Sequence, residues 1–235
     1  MGLSDRQAQA LEAYGRLLVE RPELFDGRRK RRIVTDPEQL AAYAAENEIV
    51  LGLIADTPYV LIVVDLVESR ASGRRIRHPY IRVLSRAMME GATNVVVFAT
   101  IEEAALGEVG AVILVDQERH ATGISELELP RGFGEPGISG ERTALRELEE
   151  ETGYVGDEAI LLGTTNTDTG LTDAVVSFYH VPVTRRSRPR PDAGEAIEGF
   201  RLLRPEALKR SVADGDVRDA FTVQALALFD LTKIG

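Results

Sequence analysis

Four glutamates crowd into five residues of this chain: Glu147, Glu149, Glu150 and Glu151. They close an amphipathic stretch, residues 139–153, that predicts a helix stopped by Gly153. A helix C-terminus carries partial negative charge, so acids there are repelled by the backbone and by one another. Residues three and four apart share a face, which makes Glu147, Glu150 and Glu151 converge and turns Glu149 away toward solvent. Leu145 and Leu148 supply the apolar side that docks on a sheet. Arg146 stands beside the cluster, placed to hold one carboxylate through a two-pronged ion pair. Crowded hard oxygens suit Mg²⁺ or Mn²⁺, which keep waters and take phosphate oxygens into their shell. The chemistry implied is metal-dependent work on phosphates. Just upstream, Gly132, Gly134 and Gly137 let a loop approach the helix start and offer its backbone to a metal or a phosphate. The plainer reading is a solvated acidic face behind a flexible loop. The i, i+3, i+4 spacing, the adjacent arginine and the glycine loop together favour the metal site.

Around this helix the texture of the chain is mostly strand. An amphipathic helix spans 5–20, with Pro22 just past its end, and a second opens at Asp36-Pro37. β-Branched runs at Ile49–Ile54 and Tyr59–Val67 are separated by the turn Asp56-Thr57-Pro58; Ser72-Gly73 makes another turn, with a return strand at Tyr80–Leu84. Further strands are predicted at 93–100, 109–117, 126–129, 159–163, 174–183 and 196–203, and the segment Arg185–Pro191 as a loop. Pro205 starts a helix, and residues 217–231 make the last one, with Phe221, Ala225, Leu226, Leu228 and Phe229 on its buried side. Strands flank one central helix without βαβ alternation, which predicts an α+β fold with a mixed sheet.

Composition excludes several alternatives. The chain has 235 residues, enough for a sizeable core, and no cysteine, which rules out disulfides, thiolate metal sites and a cysteine nucleophile and fits a reducing cytoplasm. The first thirty residues lack a secretory pattern and no apolar run reaches membrane-spanning length, so no membrane association is expected. A net charge of −10, with no tryptophan, argues against nucleic acid as a partner. GRRKRR (Gly27 to Arg32) has the look of a nucleic-acid patch but reads as a solvated loop in so acidic a chain. Arg185, Arg186, Arg188 and Arg190 either steer an anionic substrate or simply solvate their loop. His78, His120 and His180 are too widely spaced to pair on a metal and are read as structural. Asp168, Gly170 and Asp173 border a pocket or form a plain turn.

The run GFGEPGISGERTALRELEEETGY, Gly132 to Tyr154, resembles the signature of the Nudix hydrolase family, G-x5-E-x7-R-E-U-x-E-E-x-G-U, with U a bulky apolar residue. Gly132, Arg146, Glu147, Leu148, Glu150, Glu151 and Gly153 fall in register, and Tyr154 matches loosely. Ile138 stands where the family has a glutamate; Glu135 and Glu141 lie nearby but out of register. GAVILVDQER (Gly110 to Arg119), ELPRG (Glu128 to Gly132), GEAIEGFRLL and GDVRDAFTVQALAL are similar to the ADP-ribose pyrophosphatase-like subgroup, so the resemblance covers about 91–231. The first ninety residues match more loosely an N-terminal β-rich extension that often helps build a dimer in such enzymes.

The resemblance implies an α/β/α sandwich around a mixed sheet over 91–235, with a helical and β-rich, dimer-forming extension over 1–90. It implies that Glu147, Glu150 and Glu151, joined by the backbone carbonyl of Arg131, hold Mg²⁺ or Mn²⁺, and that Arg146 orients a glutamate. Arg119, Arg131 and Glu128 become substrate-binding candidates; Glu151, Arg146 and a late glutamate become catalytic ones. For that glutamate, Glu195 is preferred over Glu198 because Gly194 lets its loop move. The implied reaction is Mg²⁺-dependent hydrolysis of the diphosphate bond of a nucleoside diphosphate joined to another group, ADP-ribose or a nucleotide sugar first, by a cytoplasmic homodimer. Two alternatives stay open: a nucleotide-binding or regulatory module without turnover, which Ile138 favours, and a pyrophosphohydrolase of specialised metabolism.

Overall fold

The computed structural model of the chain describes residues 2–26, 31–71, 74–191, 194 and 196–232, and of Ala71 only the backbone. It divides into two compact units, Met1–Met89 with Thr167–Ala174, and Glu90–Asn166 with Val175–Gly235. Glu195, Gly27–Lys30 and the Ser72-Gly73 turn lie outside the described residues.

In the first unit, α1 (Asp5–Glu20) starts at a capping box, in which Ser4 and Gln7 satisfy each other's backbone N–H groups. A short 3-10 turn (Pro22–Phe25) leads to β1 (Arg32–Val34), α2 (Pro37–Glu46), β2 (Gly52–Asp56), β3 (Val60–Ala71), β4 (Arg74–Ser85) and α3 (Arg86–Met89). β3 is the spine, antiparallel to β4 along its whole length on one side and to β2 and β1 on the other. The sequence pattern places the β2 strand too early, because Ile49–Leu51 close the turn after α2 instead of joining the ladder. It also makes β4 too short, since Arg74–Pro79 have no apolar alternation and are strand only because β3 supplies hydrogen-bond partners. The segment 167–174 joins β4 through Val83 N–H to the Leu171 carbonyl at 2.9 Å and Tyr80 Oη to the Gly170 carbonyl at 2.7 Å.

The core of this unit holds a charged pair. Asp65, 1% exposed, accepts from Arg82 Nε at 2.5 Å and Nη2 at 3.1 Å and from the Tyr14 hydroxyl at 2.5 Å. Arg82 also donates to the Leu24 carbonyl at 3.1 Å and lies 5.6 Å from the centre of the Phe25 ring. Asp65 and Arg82 together therefore tie α1, the 3-10 turn, β3 and β4 to one another.

In the second unit the strands are β5 (Asn94–Ile101), β6 (Val112–Arg119), β7 (Ile124–Glu128), β8 (Arg131–Gly132), β9 (Tyr154–Gly156), β10 (Ile160–Asn166), β11 (Val175–Arg186) and β12 (Ile197–Leu203), with helices α4 (Gly140–Thr152), α5 (Pro205–Asp214) and α6 (Ala220–Thr232). The sheet runs β10-β11-β5-β6-β12, and β11 with β5 is its parallel pair, so the expected mixed sheet is present. β5 is buried at every position because it is covered on both faces. Val95, Val97, Ala99 and Ile101 pack with Ala144 and Leu148 of α4, while Val96 and Phe98 pack with Leu208 of α5 and Ala225 and Leu226 of α6. β11 runs on through Arg186, further than its apolar residues indicate, because β9 pairs with its last turn of chain.

β5 and β6 touch in register only at Thr100 with Val112. Before that point β5 pairs with β8, and beyond it β6 pairs with β7 and β12. This fork brings Arg119, Glu128 and Arg131 together, while the Arg131 amide meets Glu151 of α4.

Removing one member of a buried ion pair leaves an uncompensated charge, at a cost of about 3–5 kcal/mol. Asp65→Ala is expected to lower the unfolding free energy by that amount in urea titrations followed by circular dichroism; a loss below about 1 kcal/mol would show that the pair is not what holds the unit.

Candidate active site at the glutamate helix

α4 is built at both ends by local sequence. The Ser139 side chain caps its start, accepting from Arg142 N–H, and Gly153 ends it in the left-handed region at φ 74°, its N–H bonded to the Glu149 carbonyl. Leu148 is fully buried and Leu145 partly so, against the sheet. No basic residue lies in the last turn, and Arg146, one turn earlier, is the helix's own cation beside these acids.

The four glutamates have different fates. Glu147 and Glu151, one turn apart, are buried, 7% and 5% exposed, and face the β8 backbone. Glu151 accepts from the Arg131 amide at 3.3 Å. The Glu147 carboxylate lies so close to Gly132 that a Cβ built there would stand 2.1 Å from its carboxyl carbon, so any side chain there must push that carboxylate aside. Arg146 Nη2 donates to Glu147 at 2.9 Å, its Nη1 pairs with Glu135, and its Nε is 3.7 Å from Glu150. Burial works to lower the Arg146 pKa, yet hydrogen bonds to Glu147 and Glu135 outweigh it and hold the group above its ordinary value. The Glu150 side chain is about half exposed, 46%.

Glu149 departs from expectation. It is half-buried, not solvated, and with Leu145, Arg146, Glu150, Val155, Gly156 and Arg190 it lines a cavity of about 320 Å³. The cause is the segment after β11, which was expected as a free loop. Ser187 N–H donates to the Gly153 carbonyl at 2.6 Å and Arg190 N–H to the Glu150 carbonyl at 2.8 Å, laying this strap across the end of α4. A Cβ at Gly153 would meet the Ser187 carbonyl oxygen at 2.6 Å. The four arginines of this region part company: Arg185 pairs with Asp157 at 2.6 Å, Arg186 stacks on Tyr154 and Phe200 at 4.8 and 4.9 Å, Arg188 is exposed, and Arg190 lines the cavity beside Glu149 and Glu150.

At the fork, Glu128 is 1% exposed and enclosed by two arginines. Arg119 reaches it with Nη2 and, at 3.1 Å, Nε; Arg131 Nη2 reaches it at 3.0 Å. Burial lifts the Glu128 carboxyl above its usual pKa even though the Arg119 hydrogen bond and the charge of Arg131 pull it down. Arg131 is further fixed by Asp219 at 3.0 Å and by the Phe221 ring, 4.9 Å from its centre. Asp219 in turn caps α6 by accepting the Thr222 N–H and hydroxyl at 2.8 Å, while that hydroxyl accepts from Leu129 N–H at 3.0 Å. Asp219, Phe221 and Thr222 carry no sequence signal of their own beyond lying in the GDVRDAFTVQ run. Glu198 is exposed on β12, 3.5 Å from the Ser125 hydroxyl. Ile138 is half-buried in a turn whose amide bonds the Glu135 carbonyl, and it is Glu135, out of register, that reaches Arg146. His180 bonds the Thr100 hydroxyl at 2.9 Å and packs on Phe229.

Among the described residues, no three acidic or histidine side chains are already gathered at metal-binding distance. The donors available are nevertheless of one kind. Two carboxylates buried one turn apart, a third beside them and a strand backbone opposite are all hard oxygen, the set that suits Mg²⁺ or Mn²⁺.

Comparison with known proteins bears on the family. Residues 92–223 match the model of the NUDIX domain. An ADP-sugar pyrophosphatase of Mus musculus is 40% identical over 110 residues, covering 44% of this chain and 50% of that protein. An ADP-ribose pyrophosphatase of Bacillus subtilis is 32% identical over 193 residues, 80% of this chain and 92% of that protein. A methanol dehydrogenase activator of Bacillus methanolicus is 30% identical over 124 residues, 52% of this chain and 66% of that protein. This chain thus spans half the length of the mouse relative and nearly all of the B. subtilis one. The crystal structure of an ADP compounds hydrolase superposes with a TM-score of 0.62 at 20% identity, over 76% of this chain and 88% of that one, a likeness of fold.

The strap can be tested against an internal control. Gly137 is also left-handed, φ 80°, but a Cβ there meets open space. Gly137→Ala should cost about 1–2 kcal/mol from backbone strain alone, and Gly153→Ala about 1–3 kcal/mol more from collision with Ser187, by urea denaturation. Equal losses would mean that the strap does not press on the helix end.

Proposed function

The chain belongs to the NUDIX family and is a Nudix hydrolase, and from that premise we propose that it hydrolyses the diphosphate linkage of a nucleoside diphosphate joined to a second group, with ADP-ribose and ADP-sugars as first candidates. The observation that carries this is the pair of buried acids, Glu147 and Glu151, turned toward the Arg131–Gly132 backbone with Glu150 beside them. The names of the mouse and B. subtilis relatives support the substrate class.

In this reading Glu147, Glu150 and Glu151, with the Arg131 carbonyl, hold Mg²⁺ or Mn²⁺. When bound, such an ion supplies neutralisation of phosphate charge and a more acidic water. Arg146 is a positioning residue that braces Glu147 from one side while Glu135 steadies Arg146 from the other. Glu128 also acts through others: at 1% exposure it fixes the two arginines that flank it. Arg119, with 31% of its side chain exposed, is the better placed of these to touch a phosphate or ribose, and Arg131, held on three sides, is the more rigid. Glu195, following Gly194, takes the proton of the attacking water. A homodimer formed through residues 1–90 and a cytoplasmic setting belong to the same reading, supported by the resemblance of the extension and the absence of cysteine. No helix among the described residues is long and apolar enough to cross a membrane.

A second reading, nucleotide binding without turnover, is favoured by Ile138 in the signature. One assay separates the two. Wild type with Mg²⁺ and ADP-ribose should release AMP, a chelator should stop it, and Glu150→Gln should lose about a hundredfold or more, since even residues behind a metal's ligands cost 10–100-fold. Equal rates for the two proteins would remove Glu150 from the site; tight binding of ADP-ribose with no AMP released would favour the second reading.

The same assay reports on Gly132. Because a side chain there collides with the Glu147 carboxylate, Gly132→Ala should weaken Mn²⁺ binding, read by calorimetry, by about tenfold or more without loss of the circular dichroism spectrum. Unchanged affinity would take Glu147 out of the metal set.

A further inference from the structure

Phe133 is 75% exposed, immediately after the glycine that faces Glu147. A single exposed apolar residue on a surface needs no explanation. What sets this one apart is how firmly its backbone is held. On its N-terminal side, Gly132 lies against the Glu147 carboxylate with no room for a Cβ. On its C-terminal side, Gly134 lies against the backbone of Thr93, where a Cβ would stand 2.3 Å from the carbonyl oxygen. The Phe133 carbonyl itself accepts from Arg146 Nη2 at 3.4 Å, the same group that donates to Glu147. Gly134 is pinned against the Thr93 backbone and Gly132 sits against the Glu147 carboxylate, so the ring is presented from a defined point. That point is one residue, about 3.8 Å between Cα atoms, from the backbone that meets Glu147. Among the described residues the ring has no aromatic or cationic partner, although the chain's other phenylalanines with ring contacts, Phe25, Phe98, Phe178, Phe200, Phe221 and Phe229, are packed against one.

We propose that Phe133 is a substrate-contact residue that stacks on the nucleobase of the nucleoside diphosphate. The inference rests on the hydrolase reading above and deepens it, by assigning the side chain that grips the uncharged end of the substrate while the glutamate helix handles the phosphates. Every base offers a π-face, so a phenylalanine platform favours nucleosides over base-free diphosphates without choosing strongly among bases. Phe133 contributes binding only. It adds no charge and moves no proton, so its removal raises KM and leaves kcat nearly unchanged.

The test uses the full chain with Mg²⁺, ADP-ribose as substrate, and ADP and inorganic pyrophosphate as competing inhibitors. Phe133→Ala should raise the KM for ADP-ribose and the Ki of ADP by about 5- to 100-fold, the range for loss of one base stack, with the Ki of pyrophosphate unmoved. Phe133→Tyr, which keeps the ring, should restore both. A general loosening of the glycine loop would instead raise the pyrophosphate Ki as well and lower kcat, and that result overturns the proposal. So does a Phe133→Ala enzyme indistinguishable from an active wild type, which refutes the stacking role and leaves the hydrolase reading standing. A wild type that neither binds nor cleaves ADP-ribose or any nucleotide sugar overturns both.

Discussion

Carboxylates at the negative end of a helix repel the backbone and each other, and the second unit is organised around making that tolerable. Each such acid costs a few tenths to about 1 kcal/mol. Full burial of Leu148 alone returns about 1.5–3 kcal/mol, so α4 stays docked despite its charge. The rest of the relief comes from one arginine of the helix itself and from elsewhere in the chain. Arg146 gathers Glu147, Glu135 and Glu150; the Arg131 amide serves Glu151; the strap from Ser187 to Arg190 caps two carbonyls at the helix end and brings the Arg190 side chain to the cavity that Glu149 and Glu150 line. Two of the acids remain buried on one face. That residual repulsion is the property a divalent cation would relieve, and it is why the same helix suits phosphate chemistry.

The sheet decides where those acids point. β5 is covered by α4 on one face and by α5 and α6 on the other, so it is buried throughout and apolar at all but Asn94 and Thr100, which fixes its register. Its divergence from β6 opens the fork into which β8 fits, and β8 carries the backbone that Glu147 and Glu151 face. The fork is locked by a chain of charges, Arg119 to Glu128 to Arg131 to Asp219, that ends as the cap of α6. Arginine suits this role because its planar fork binds two carboxylates at fixed angles and stacks on an aromatic face at once. Glu128 is committed to holding Arg119 and Arg131, and Arg131 to Asp219 as well, so these side chains are fixed before any ligand arrives.

Much of this was legible beforehand, and the failures share one cause. The α4 boundaries, the sheet's mixed character and the strand of every strongly apolar run follow from local pattern. Apart from Ile49–Leu51, an apolar run that closes the turn after α2, the misplaced items are those whose pattern is silent. Arg74–Pro79 read as nothing in particular and are strand because β3 is long; Arg185 and Arg186 read as loop and belong to β11 because β9 pairs with them. Helical geometry alone turns Glu149 outward, and a segment about forty residues later brings Arg190 to the cavity that Glu149 lines.

The sequence by itself determined the chemistry on offer. The i, i+3, i+4 glutamates, the arginine before them, the glycines upstream and the absence of cysteine are matters of residue type and spacing, and they point to hard-oxygen metal chemistry on phosphates without any coordinates. Only the tertiary structure decided which acids are buried, which arginines are already committed, and which glycine is small because a carboxylate sits against it. Helix periodicity is a property of a few consecutive residues, whereas burial and ion pairing depend on groups such as Asp219 and Ser187 that lie far along the chain and reach the site only when the sheet has formed.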